Sequence, residues 1–64
     1  MLLEKLITEQ EAAGYLSISP ETLKKARFKG AGPDYIKVGR CIRYRMSALV
    51  SYLERHTITH QRGI

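Results

Sequence analysis

Apolar residues recur at helical spacing over two short stretches near the start of the chain, then alternate with polar ones over a third. Thr8 to Lys29 reads TEQEAAGYLSISPETLKKARFK. Ala12, Ala13 and Leu16 share one face of a 3.6-residue period. Thr8 and Glu11 stand at capping-box spacing, where hydroxyl and carboxylate each take a backbone N–H of the other residue. These features predict a helix from about Glu9 to Leu16. Gly14 weakens it by up to about 1 kcal/mol relative to alanine, tolerable if the glycine allows a close contact. Ser19 is a good N-cap and Pro20 suits the first helical position, where an N–H is dispensable. Ile18 and Leu23 are spaced as a hydrophobic staple. A second helix should run from about Pro20 to Lys29, with Gly30 just past its end. Only Ser17 and Ile18 separate the first helix from the second's cap, and Ala12 and Ala13 permit close approach. This is helix-turn-helix spacing.

Tyr35 to Arg45 reads YIKVGRCIRYR, two β-rich runs around Gly39-Arg40, and predicts a hairpin. Placing Ile36, Val38, Ile42 and Tyr44 on one face requires Val38 opposite Ile42 and a three-residue loop, Gly39-Arg40-Cys41. Lys37, Arg43 and Arg45 then point outward together, and Arg40 caps the tip. A two-residue loop would pair Ile36 with Arg43 and turn a charge inward. Ala31-Gly32-Pro33-Asp34 is a loop. Ser47 is expected to cap a third helix, about Ala48 to His56, whose apolar face is Leu49, Tyr52, Leu53 and Val50. Met1 to Ile7 reads as a lead-in packed on the core through Leu2, Leu3, Leu6 and Ile7, as an extra helical turn. Thr57 to Ile64 has no period. The fold class is mainly α with a small β-hairpin, one domain over residues 1–56 with a flexible C-terminal tail over 57–64.

A 64-residue chain buries only about 60% of its unfolded surface, which leaves no room for a deep catalytic pocket on a scaffold. No Ser-His-Asp arrangement, glycine-rich phosphate loop or carboxylate pair is present, so neither catalysis nor a cofactor is expected. Cys41, His56 and His60 lack the further ligands that would complete a zinc site. No apolar run approaches the roughly 20 residues of a membrane span, and the start lacks a signal-peptide cleavage site. The single Cys41 suits a reducing compartment, so a cytoplasmic, nucleoid-associated location is expected. The net charge is +5, and its distribution matters more than its size. Lys24, Lys25, Arg27, Lys29, Lys37, Arg40, Arg43 and Arg45 face a single acid, Asp34, between residues 24 and 45. Such segregation is the footprint of a polyanion-binding face.

The ordered set Leu6-Ile7-Thr8, Glu11-Ala12-Ala13, Tyr15 to Ser19, Thr22-Leu23, Arg27, Gly32-Pro33, Ile36 to Arg40, Ile42-Arg43-Tyr44, Ser47, Leu49 and Tyr52-Leu53 resembles the small winged helix-turn-helix proteins of the MerR superfamily. The resemblance is to the excisionase and AlpA-like group of phages and integrative elements, and it covers about residues 6 to 54. It implies binding to double-stranded DNA, the second helix in the major groove and the wing at the minor groove. It further implies a recombination directionality factor that bends attachment-site DNA and works with a phage-type integrase. An AlpA-like prophage transcriptional regulator is the alternative within this class. Carried over by position, Thr22, Lys24, Lys25 and Arg27 face the groove, and Lys37, Arg40 and Arg43 are wing contacts. Three positions depart from the pattern: Ala48 where an acid usually precedes the leucine of helix three, Tyr52 where tryptophan is common, and Ser17 where the turn often has glycine.

The candidate DNA-binding residues are therefore Ser19, Thr22, Lys24, Lys25, Arg27, Lys29, Lys37, Arg40, Arg43 and Arg45. Arg27 is the candidate for bidentate guanine reading, because its fork matches O6 and N7; the competing reading is a salt bridge to Glu21 or Asp34. Thr22 reads a base or phosphate, or else bonds locally at its helix N-terminus. Phe28 and Tyr35 are expected in the core. One small module reaches about one half-site, so cooperative self-association on repeated sites is expected. A reading of another class remains open, a protein-binding adaptor or antirepressor whose basic face meets an acidic protein.

Overall fold

The computed structural model describes residues 4–58. The elements are β1 (Leu6–Thr8), α1 (Glu9–Leu16), α2 (Pro20–Phe28), β2 (Ile36–Val38), β3 (Cys41–Arg45) and α3 (Met46–Arg55). The strands form one antiparallel sheet in the order β1-β3-β2. The whole is a winged helix-turn-helix, mainly α with a small sheet.

The capping box forms. The Thr8 hydroxyl accepts the Glu11 N–H and the Glu11 carboxylate accepts the Thr8 N–H, both at 3.0 Å. An N-cap needs extended backbone, and Thr8 has φ −77° and ψ 166°. Extended chain entering a helix is ready to pair as a strand, and Leu6 to Thr8 does so with Arg45 to Arg43. The lead-in expected as a helical turn is thus β1. The expected packing of Leu2 and Leu3, and the tail from Thr59 onward, lie outside the described residues.

Between the helices Ser17 adopts the left-handed conformation, φ 60° and ψ 38°. That turn lets the Ser17 N–H reach the Gly14 carbonyl at 3.1 Å and the Ile18 N–H reach the Ala13 carbonyl at 3.0 Å. Ser19 caps α2 by accepting the Thr22 N–H at 3.1 Å. Past its end Gly30 takes φ 70°, the left-handed residue that closes many helices. Gly14 does not serve close packing: a Cβ there would meet nothing within 4 Å.

Ala12, Ala13, Leu23, Tyr44 and Leu49 are fully or almost fully buried, with Ile7, Leu16, Ile42 and Met46 packed around them. The core is therefore small, and one large residue weighs heavily. Truncating Leu23 to alanine removes about 2–5 kcal/mol, against a total of roughly 3–10 kcal/mol for a chain of 64 residues.

The hairpin register differs from the expected one. Val38 pairs with Cys41, Lys37 with Ile42 and Ile36 with Arg43, so the loop is the two residues Gly39-Arg40. Gly39 has φ 64° and is the only loop residue with positive φ, which suits a II′ turn with glycine first. The expected register assumed a two-stranded hairpin with every apolar residue inward. The third strand removes that need. Buried Tyr44, with Ile42 beside it in alternation and Ile7 opposite, supplies the inner face. Ile36, Val38, Leu6 and Arg43 take the outer face, and Val38 is 50% exposed. Arg43 is not driven into the core; its Nη1 donates to the Ile42 carbonyl at 2.8 Å.

The third helix also starts earlier than expected. It runs directly from β3 at Met46, with Arg45 in the cap position and no side-chain cap bond from it. Ser47 is not the cap. Its N–H donates to Glu4 Oε2 at 2.8 Å and its hydroxyl to Glu4 Oε1 at 3.0 Å. The carboxylate missing at Ala48 is thus supplied from the other end of the domain, where it also complements the helix dipole. Of the expected apolar face only Leu49 is fully buried; Tyr52 is half-buried, and Val50 and Leu53 are exposed.

Candidate nucleic-acid interface

Burial of Leu23 decides which side of α2 faces the core. On the opposite ridge, spaced three or four residues apart, stand Glu21, Lys24, Lys25 and Phe28, with Thr22 and Lys29 flanking them; all are exposed. Among the described residues the salt bridges are Arg27–Glu9 and Arg45–Glu4, so Lys24, Lys25 and Lys29 carry no such partner there. At the helix start the Ser19 and Thr22 oxygens lie 2.8 Å apart. The Thr22 hydroxyl therefore has the local partner that its position allows.

Arg27 stands apart from these lysines. Its Nε lies 2.7 Å from Glu9 Oε2 and its Nη2 3.1 Å from Glu9 Oε1, with only 12% of the side chain exposed. Its Cζ also lies 4.9 Å from the centre of the Phe28 ring and 5.7 Å from that of Tyr35. The fork that would read a guanine is filled by Glu9, an acid that neither competing sequence reading named. The pair also moves both titrations. Arg27's hydrogen bonds are the main cause holding the Glu9 carboxyl below its ordinary range, against partial burial and with help from Tyr44. Glu9 raises the guanidinium in return.

The Tyr44 hydroxyl donates to the same Glu9 Oε2 at 3.1 Å. Burial first, and that bond second, push its pKa up to about 12. One carboxylate thus joins β3, the start of α1 and the last turn of α2. Tyr35 leans on this group, its ring 6.3 Å from that of Tyr44. Tyr35 is 46% and Phe28 71% exposed, so neither belongs to the core as expected.

The wing cations do not share one face. Lys37 is opposite Ile42 and so lies on the helix-facing side of the sheet, while Arg43 and Arg45 take the outer side. Arg40 is at the exposed tip. The outer pair has acids nearby. Arg45 Nε is 3.9 Å from Glu4 Oε1. The Glu11 carboxyl, held low mainly by the Thr8 N–H, also feels the charge of Arg43. Among the described residues the cations outside any salt bridge include Lys24, Lys25 and Lys29 of α2, Lys37 and Arg40 at the tip, although Glu9 also feels the charge of Lys24.

Glu9 is the residue that sequence reasoning missed. It reads there as an ordinary acid in a first helical turn, and no local spacing announces partners 18 and 35 residues away.

A capped helix, a left-handed turn and a cationic second helix beside a short winged sheet define a DNA-binding protein of the helix-turn-helix class. Residues 6–57 match the family model of the helix-turn-helix domain, and the chain belongs to that family. Comparison with the curated proteins gives no match. Sequence-specific duplex binding is the activity this domain carries. Among the described residues no helix is long and apolar enough to cross a membrane.

Proposed function

We propose that this protein is an excisionase-type recombination directionality factor, binding and bending attachment-site DNA so that a phage-type integrase excises an element. The observation that supports it most is a set of cations outside any salt bridge among the described residues: Lys24, Lys25 and Lys29 on α2, Lys37 on the helix-facing side of the sheet, and Arg40 at the tip of the wing. In this reading α2 enters the major groove with Ser19 and Thr22 at its leading end, and the wing follows the backbone to the minor groove. Charge gathered on one side of a duplex, reaching two grooves at once, favours a bend toward the protein. Neighbouring copies bind repeated sites cooperatively, since one module spans about one half-site.

Arg27 takes a different part. It is a positioning residue that fixes α2 against α1, rather than a reader of guanine. Arg43 and Arg45 act as secondary phosphate contacts at the outer side of the wing.

The test is a duplex selected from a random pool, followed by a bending assay on that duplex and, where an integrase gene lies beside this one, an excision assay with that integrase. Binding, bending and stimulated excision are expected. Binding at promoters with no effect on excision would make the protein a prophage regulator instead. A partner retained after all DNA is digested would make it an adaptor.

A further inference from the structure

Phe28 is 71% exposed, on the last turn of the helix that carries Lys24, Lys25 and Lys29. A ring left in water this way is unfavourable for a small domain with little apolar surface to spare. Its setting is also specific. Lys24 Nζ stands 6.0 Å and Arg27 Cζ 4.9 Å from the ring centre, both within the range of cation–π attraction. Arg27 is itself held by Glu9, so the ring rests against an anchored group.

We propose that Phe28 is a specificity residue that reads the C5-methyl group of a thymine in the major groove. The inference rests on the DNA-binding reading above and deepens it. Helical spacing puts Phe28 on one ridge with Lys24 and Lys25, so whatever covers the ring also covers two ammonium groups. An apolar pocket on a protein would desolvate them without partners. A duplex supplies phosphates for the lysines and, in the same groove, methyl groups as the apolar edge that aromatic side chains meet. The polar code of the groove is then left to Thr22 and the lysines, and the ring adds discrimination that hydrogen bonds do not provide.

The experiment uses the full chain and its selected duplex. Each thymine is replaced in turn by deoxyuridine, which removes only the methyl. Affinities are read at low salt, where phosphate contacts keep every variant on DNA. One position should weaken wild-type binding by about fourfold, the worth of one buried methyl group. Phe28→Ala should bind the thymine and uracil duplexes alike at that position. Phe28→Gln, which keeps bulk and helix propensity, is expected to do the same and covers a failure of the alanine variant to fold. No sensitive thymine, or equal sensitivity in wild type and variants, overturns the assignment and leaves the ring to another partner. Failure of the wild type to bind any duplex would instead overturn the DNA-binding reading itself.

Discussion

Arg27 and Glu9, 18 residues apart, meet in a two-pronged ion pair with Nε–Oε2 at 2.7 Å and Nη2–Oε1 at 3.1 Å. The pair joins the last turn of α2 to the first residue of α1, and Tyr44 shares the same carboxylate oxygen from β3. Orientation of α2 therefore depends on one acid of α1.

Arg27→Ala leaves Glu9 and Tyr44 facing each other without their cation. It should cost about 1.5–3 kcal/mol of stability, the range for hydrogen bonds to charged groups. A chemical denaturation series measures this. Arg27→Lys should recover less than half, because a point charge cannot make both prongs. The preferred DNA sequence of the folded fraction should stay the same. A relaxed preference at one base with unchanged stability would return Arg27 to base reading.

Acid should loosen the same junction. Glu9 has a depressed pKa in the folded state, so it binds protons more readily when unfolded. Its stabilisation is present above the ordinary carboxylate pKa of about 4.3 and is lost as pH falls through the folded value. Wild-type stability should drop as pH falls below the ordinary carboxylate range more steeply than that of Glu9→Gln. Parallel curves for the two would remove Glu9 from the acid transition.

Glu4 should matter to a helix that begins 42 residues later. Its carboxylate takes both the N–H and the hydroxyl of Ser47. Glu4→Ala should destabilise by about 1 kcal/mol, as the loss of an N-terminal cap does. Ser47→Ala in the Glu4→Ala background should add little, because the two share one interaction. Additive losses in the double variant would show that the pair is not coupled.

Two substitutions should stabilise. Alanine at Gly14 meets nothing within 4 Å and raises helix propensity, for a gain of about 0.5–1 kcal/mol. Glycine at Ser17 relieves a left-handed residue at φ 60°, for a net gain of about 0.5 kcal/mol after the added backbone freedom of the unfolded chain. Thermal melts of each variant check both signs.

The first two helices were legible in the sequence because their signals are local. Thr8 with Glu11, Ser19 with Pro20, and Gly30 lie within a turn of what they control. The hairpin was legible as an element but not in register, since register depended on β1, a strand only three residues long. The start of α3 depended on Glu4, a partner distant in sequence. The cationic surface was legible as composition, and its division was not. Strand parity sends Lys37 to one side of the sheet and Arg43 and Arg45 to the other, and Glu9 withdraws Arg27. Phe28 was misread because the ridge it occupies is set by Leu23 on the opposite side of the helix.

Salt dependence of binding to the selected duplex tests the central claim most directly, because each neutralised phosphate contributes about −0.9 to the slope of log affinity against log salt. The wild type should give a slope of about −4 to −5. Lys25→Ala should make it shallower by about one, and Arg27→Ala should leave it unchanged while lowering stability. A slope near zero, or an equal reduction by the two variants, would contradict the division of labour between contact and positioning proposed for α2.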